Sequence, residues 1–266
     1  MYEIADPGPL PTKPDLPGTV ILRATPDEAI DAAAAEFMIH ATNCVRSFGD
    51  FHLAVAPDPS TEPLLMRLMY DPPLRELPWS KTHLWLMDEI AAPGADGPSR
   101  GDALQELVVL PSGIPGVQTH LIDVETAEPA RVYEAALREH LGWREKGHDR
   151  LDCVIMGTER REAGPGPTDG AGDEHRLVCM VPGSDGALPA RVTMTARLAS
   201  ASRLICVVAT GAACRPSLAA AVARDASGVH PDEAKSVLFG GRRPVGGELR
   251  WYLDAAACPV TNGLGR

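Results

Sequence analysis

Aromatic residues are scarce in this 266-residue chain, at 5%, and long apolar runs are missing. No hydrophobic stretch approaches 18 residues, so a membrane span is not expected. The opening Met1-Tyr2-Glu3 carries no cationic segment, so a signal peptide is not expected either. Basic residues are the minority sign, 25 against 36 acidic, for a net charge of −11. That balance argues against nucleic acid and against an anionic membrane surface, while leaving room for a local basic pocket. The six cysteines form no CxxC pair, and most lie inside apolar runs. They read as reduced core cysteines of a cytoplasmic protein. The eight histidines are scattered with no HExxH or HxH spacing. Spacing along the chain therefore gives no reason to expect a metal site, and no cofactor is expected. Internal repeats and a linker that would split the chain are absent as well.

What is present is a core-forming composition, with 44% apolar residues, enough for one large α/β domain or two small ones. Residues 1–17 hold five prolines and no periodicity, the composition of an extended arm. Gly18 to Arg23 reads as a strand. Thr25-Pro26-Asp27-Glu28 is a capping box with proline at the first helical position, so a helix is expected from Pro26 to about Cys44. Phe51 to Ala56 reads as a strand and Glu62 to Tyr70 as a helix. Further helices are expected over Ala103–Leu110, Glu128–Leu141 and Ser217–Asp225. Strands are expected over Thr119–Asp123, His175–Pro182 and Ser202–Gly211. The alternation of strand and helix signals predicts an α/β sheet.

One stretch organises the rest. Leu151 to Met156 (LDCVIM) is a short apolar, β-rich run closed by Gly157, the signature of a buried central strand. In open α/β sheets ligands gather beyond the carboxyl ends of such strands, which directs attention to Gly157 and the residues after it.

Colinear segments of this chain resemble the 6-phosphogluconolactonase (DevB/SOL) family. Leu151–Gly157 resembles its strand leading into a Gly-x-Gly-x-Asp-Gly-His loop. Ser60-Thr61 matches the end of its Ser-Gly-Gly-Ser-Thr-Pro turn. Trp79, Ser80, His83, Trp85, Asp88 and Glu89 match a Trp-Ser-x-Val-His-x-Phe-Trp-Gly-Asp-Glu-Arg segment. Pro189 to Thr195, Ser202 to Gly211 and Gly247 to Ala257 match three more. The resemblance covers residues 18 to 258 and implies an open, largely parallel, Rossmann-like sheet flanked by helices. That architecture is shared with the glucosamine-6-phosphate deaminase and ribose-5-phosphate isomerase groups. It implies one domain over 18–258, with an N-terminal arm over 1–17 and a tail over 259–266.

The departures carry as much meaning as the matches. In the family, the loop histidine is the general base that activates water, and glycine-loop amides and basic side chains hold a 6-phosphate. Here Ala163 stands at the histidine position, so no catalytic residue is assigned, and Arg161 stands at the loop aspartate. Asp58 and Pro59 replace the paired glycines, Glu62 the proline, Ile90 the arginine after Asp88-Glu89, and Cys214 a lysine. Ser99-Arg100 falls where the family has serine-asparagine. Pro59 has no N–H to donate, and Asp58 and Glu62 add negative charge.

What the resemblance leaves as substrate-binding candidates is Ser60, Thr61, Asp88, Glu89, Gly157 and Arg191. Ser60 or Thr61 with Pro63 also makes a plain helix start, and that reading is favoured. Arg191 can bind an anion or neutralise Asp88 or Glu89, and pairing is the expected outcome. Two functions follow. One is a catalytically degenerate relative that binds a small anionic or sugar-phosphate ligand or acts as a scaffold. The other is a lactonase or sugar-phosphate hydrolase with a rebuilt site, drawing its base from His148, His175 or Glu159. The first is favoured, because general base catalysis is worth about 10²–10⁴-fold and the phosphate contacts are also gone.

Overall fold

The computed structural model describes residues 13–91, 99–142, 150–158, 175–183, 189–226 and 247–258. Its centre is a seven-stranded sheet in which every neighbouring pair is parallel. The strands are β1 (Thr19–Arg23), β2 (Phe51–Val55), β3 (Thr82–Leu86), β5 (Thr119–His120), β6 (Cys153–Gly157), β9 (Leu204–Ala209) and β10 (Glu248–Asp254). They are ordered β1-β10-β9-β6-β2-β3-β5, so β6 is the middle strand, as its uninterrupted apolar run predicts. All of its residues are buried. A second, antiparallel sheet of β4 (Asp88–Ile90), β8 (Arg191–Met194) and β7 (Val178–Val181) has the order β4-β8-β7. The sequence reading did not anticipate this sheet. The strand expected over His175–Pro182 belongs to it in shortened form, and Asp88-Glu89 lies in its edge strand β4.

Parallel neighbours need crossovers, and helices supply them. Helix α1 (Pro26–Phe48) is set by the expected capping box. Thr25 Oγ1 accepts the Glu28 N–H at 3.3 Å, and Glu28 Oε2 accepts the Ala24 N–H at 3.0 Å. The helix ends at Gly49, whose φ of 91° supplies the left-handed cap. Ala29, Ala33, Ala34 and Ala41 are buried on it, which lets α1 sit close to the sheet. Helix α2 (Glu62–Tyr70) spans the expected residues.

The helix expected from Ala103 starts earlier, as α3 (Arg100–Leu104), because Ser99 Oγ accepts the Asp102 N–H at 3.2 Å. It continues through a π-helical turn, Gln105–Val109, into α4 (Leu110–Ser112). Pro111 has no N–H for the carbonyl one turn back, and the wider turn lies just ahead of it. Helices α5 (Pro129–Leu141), α6 (Ala196–Ser200) and α7 (Arg215–Ala226) complete the set.

The core includes Phe37, Phe51, Trp85, Trp251 and Tyr252, all fully buried. Leu16 is buried with them, and Trp251 Nε1 donates to the Pro17 carbonyl at 2.8 Å, pinning the end of the N-terminal arm. Among the described residues no helix is long and apolar enough to cross a membrane. The tail 259–266 and the loop around Glu159–Ala163 lie outside the described residues.

Candidate functional site

The carboxyl end of β2 is tied to the small sheet through Met87, whose N–H donates to the Val55 carbonyl and whose carbonyl accepts the Met194 N–H, both at 2.9 Å. After β2 the chain turns at Asp58, and that turn is held by its own side chain. Asp58 Oδ1 accepts the Ser60 N–H at 2.9 Å, the Thr61 N–H at 3.0 Å and the Ser60 hydroxyl at 2.5 Å. Thr61 Oγ1 accepts the Asp58 N–H at 3.0 Å and donates toward the Ala56 carbonyl at 2.9 Å. Thr61 is the residue before α2, yet its hydroxyl makes no cap bond to that helix. The expected Ser or Thr cap is therefore corrected: the Asp58 carboxylate takes the amides. The amide cluster at a helix start, which attracts anions, already holds one belonging to the chain.

Gly157, ending β6, is the floor beneath this turn. A Cβ there would fall 1.7 Å from Ser60 Oγ and 2.6 Å from Asp58 Oδ1, so only glycine fits. Asp58 Oδ2 and the Thr158 hydroxyl are buried without a hydrogen-bond partner among the described residues. Ser60 and Thr61 are themselves buried.

Asp88 and Glu89 are buried on β4. Arg100 Nη1 reaches both oxygens of Asp88, at 2.8 and 2.9 Å. Glu89 Oε2 accepts the Ser99 hydroxyl at 2.8 Å and the Gly101 N–H at 2.7 Å, and Oε1 accepts the Arg100 N–H at 3.0 Å. The pair thus neutralises an arginine and caps α3. The expected pairing of Asp88 or Glu89 with Arg191 is not what forms: the Ser99–Gly101 segment supplies Asp88 with a guanidinium and Glu89 with a hydroxyl and two amides. In the sequence Ser99-Arg100 falls at a family serine-asparagine position, and nothing local marks it for this role.

Arg191, half-buried, stands across from Ile90 in the β4–β8 register. Directly opposed residues of an antiparallel pair share a face, so an arginine at position 90 would have stood beside Arg191. After β9, Cys214 is buried in the short turn Ala212–Cys214, with its thiol toward the Thr210 carbonyl. Arg215 next to it donates to the Ala256 carbonyl, with Nη2 at 2.7 Å. Asp254, which sequence reasoning passed over, binds the Gly211 and Ala257 amides through Oδ1, at 2.9 and 3.0 Å. Of the alternative bases, His175 is exposed and its carbonyl accepts Arg138 Nη2 at 2.5 Å, while His148 and Glu159 lie outside the described residues, as does Ala163.

A groove of about 460 Å³ lies elsewhere, between α5 and β7, lined by Glu128, Arg131, Glu134 and Arg138. Its carboxylates are bound to its own arginines, Arg131–Glu128 at 2.6 Å and Arg138–Glu134 at 2.7 Å. Away from the strand ends, four histidines converge on one sheet face. Burial and the neighbouring imidazoles of His140, His83 and His52 push His120 down to about 3. His83, His120 and His140 place their donor atoms within 4.8 Å of one another, a set able to hold a metal.

With this geometry in hand, comparison with known proteins is specific. The family described as glucosamine-6-phosphate isomerases/6-phosphogluconolactonase matches residues 24–238. The GDH/6PGL endoplasmic bifunctional protein of Oryctolagus cuniculus is 27% identical over 244 residues, 89% of this chain and 29% of that protein. The chain therefore spans less than a third of that relative's length. The crystal structure of a devB protein superposes with a TM-score of 0.70 at 20% identity, covering 90% of this chain and 98% of that one. A 6-phosphogluconolactonase from Trypanosoma cruzi gives 0.68 at 17% identity, covering 95% and 98%. The family match runs along most of the chain, and the fold superposes over nine-tenths of it or more: this chain belongs to the glucosamine-6-phosphate isomerase/6-phosphogluconolactonase family.

Proposed function

We propose that this protein is a catalytically degenerate 6-phosphogluconolactonase-like protein that works by binding or scaffolding. The observation that carries this reading is the Asp58 carboxylate, seated on the Ser60 and Thr61 amides and the Ser60 hydroxyl. A phosphate dianion brings only acceptors and negative charge to a turn whose donors are already taken by an anion. Asp58 Oδ2, buried without a partner among the described residues, calls for a donor that phosphate lacks. Ile90 and Cys214 stand where two cations would be needed, and Ala163 where a general base would be. A sugar-phosphate-type ligand with a neutral hydroxyl at this end fits the site better than one with its phosphate there. The same proposal puts the chain in a reducing compartment, the cytoplasm, supported by six free cysteines.

The test is a lactonase assay on freshly generated 6-phosphogluconolactone, corrected for spontaneous hydrolysis, together with calorimetry against 6-phosphogluconate. No turnover and no micromolar binding by folded protein are expected. Turnover above the spontaneous rate would establish the rebuilt-hydrolase alternative.

A further inference from the structure

The histidines that look scattered in sequence are gathered by the sheet. His52 on β2 pairs in register with His83 on β3, and Trp85, two residues on, pairs with His120 on β5. Side chains alternate along strands, so His52, His83, Trp85 and His120 all project from one face. Helix α5 lies over that face. Tyr133 and His140, two turns apart on it, both meet Trp85 edge-on, at 5.8 and 5.7 Å between centroids. His140 lies 5.0 Å from His83 and 4.7 Å from His120.

We propose that His83, His120 and His140 bind a divalent transition-metal ion of the zinc class. His83 Nδ1 and His120 Nε2 lie 3.1 Å apart, one donating to the other. Two nitrogens on a tetrahedral zinc, each about 2.0–2.1 Å from it, lie about 3.3 Å apart. Two of the three donors are therefore spaced for one ion already. The third donor, on the last turn of α5, closes from within 4.8 Å by turning its ring. The ring proton now shared between His83 and His120 moves to the far nitrogen of its own ring, so the site forms from neutral imidazoles. All three rings are half-buried, which leaves a coordination position for water.

The donor set selects the metal. Three imidazoles suit zinc, nickel or copper, whereas magnesium and calcium require oxygen ligands. His52 is a neighbour and not a ligand. Trp85 Nε1 donates to His52 Nδ1 at 3.1 Å, and indole N–H is only a donor, so that nitrogen is occupied. His52 Nε2 is turned to Asp50 at 3.5 Å, and its ring stacks on His83 at 4.6 Å. The Tyr133 hydroxyl, 3.1 Å from the His120 carbonyl and 2.8 Å from that of Leu86, steadies the backbone of the middle ligand. Bound metal would tie the edge strand β5 and the end of α5 to β3. Its three ligands lie on β3, β5 and α5 and include none of the residues of the strand-end site, so this site is independent of the sugar-phosphate reading.

The test uses the whole chain stripped with EDTA and titrated with Zn²⁺ in a chelator-competition assay. One tightly held Zn²⁺ per chain, a raised thermal midpoint, and no effect of Mg²⁺ are expected. Loss of an outer-shell partner alone costs about 10–100-fold in metal affinity, so His140→Ala should weaken binding by more than about 100-fold. Far-UV circular dichroism of that variant checks that it folds. Co²⁺ in the unaltered protein should give tetrahedral visible bands without a near-ultraviolet thiolate band, a readout that needs no variant. Absent binding, equal affinity in folded His140→Ala, or a thiolate band that moves the site to cysteines would each overturn the proposal.

Discussion

Asp58 and Gly157 are in contact across the strand ends: a Cβ on residue 157 would lie 2.6 Å from Asp58 Oδ1 and 2.8 Å from Oδ2. The glycine admits the carboxylate, and the carboxylate holds the turn that starts α2. A family glycine thus keeps its place while serving the chain's own anion.

That contact predicts the effect of Gly157→Ala. The added methyl meets Ser60 Oγ and the Asp58 carboxylate, and overpacking of this kind costs about 1–3 kcal/mol. In an Asp58→Gly, Ser60→Ala background the obstacle is largely gone, and the same change should cost clearly less. Urea unfolding of the four proteins gives the coupling; additive costs would contradict the contact.

Asp58→Ala should destabilise the protein by about 1–2 kcal/mol, since it strips a charged acceptor from two helix-start amides. Chemical denaturation measures it. The companion gain is in ligand binding: Asp58→Gly with Pro59→Gly, Ile90→Arg and Cys214→Lys should bind 6-phosphogluconate more tightly than the parent by calorimetry.

Ala163→His alone should give no appreciable lactonase activity. A general base acts only within about 2.6–3.2 Å of its proton, or through one water, and the substrate must first be held. Added to the four changes above, Ala163→His should do better than any single substitution. Turnover by Ala163→His alone would mean that the pocket still binds substrate.

Arg100→Ala leaves Asp88, 2% exposed, without its cation. Breaking a buried pair costs about 3–5 kcal/mol; with the Arg100 side chain 28% exposed, about 2–3 kcal/mol is expected.

Alkaline stability follows from two core thiols. Burial pushes Cys153 and Cys206 well above the ordinary thiol value of 9.0. Cys206, Cys44 and Asp152 add to this around Cys153, as does Glu36 around Cys206, while Arg250 opposes it there. Above pH 9 the unfolded thiols ionise and the folded ones do not, so the folded state binds more protons and stability falls as pH rises. Below about pH 7, where the unfolded thiols are still protonated, these groups contribute almost no slope. Urea midpoints at pH 8 and 10.5 check the sign, and neither thiol should react with iodoacetamide before unfolding.

Local chemistry made much of the fold readable. The capping box at Thr25–Glu28, the boundaries of α2 and the apolar run that becomes β6 depend on neighbours within a few residues. The antiparallel sheet was not readable, because β4 is three residues of which two are acidic, Asp88 and Glu89. Its stability comes from pairing with β8 a hundred residues away. The strand expected to Asp123 stops at His120 because it lies on the sheet edge, with a partner on one side only.

The sequence by itself determined the resemblance to the family, the α/β architecture and the identity of the residues at positions 90, 163 and 214, because these are matters of residue identity and order. Tertiary structure alone decided what the remaining polar groups do. Asp58 turned inward onto its own loop, Asp88 took Arg100 in place of Arg191, and His83, His120 and His140 met. The physical reason is common to all three. A charge or a ring nitrogen takes whichever partner the folded backbone brings within about 3 Å: the turn after β2 does this for Asp58, the return of Ser99-Arg100 to β4 for Asp88, and sheet register with α5 for the histidines.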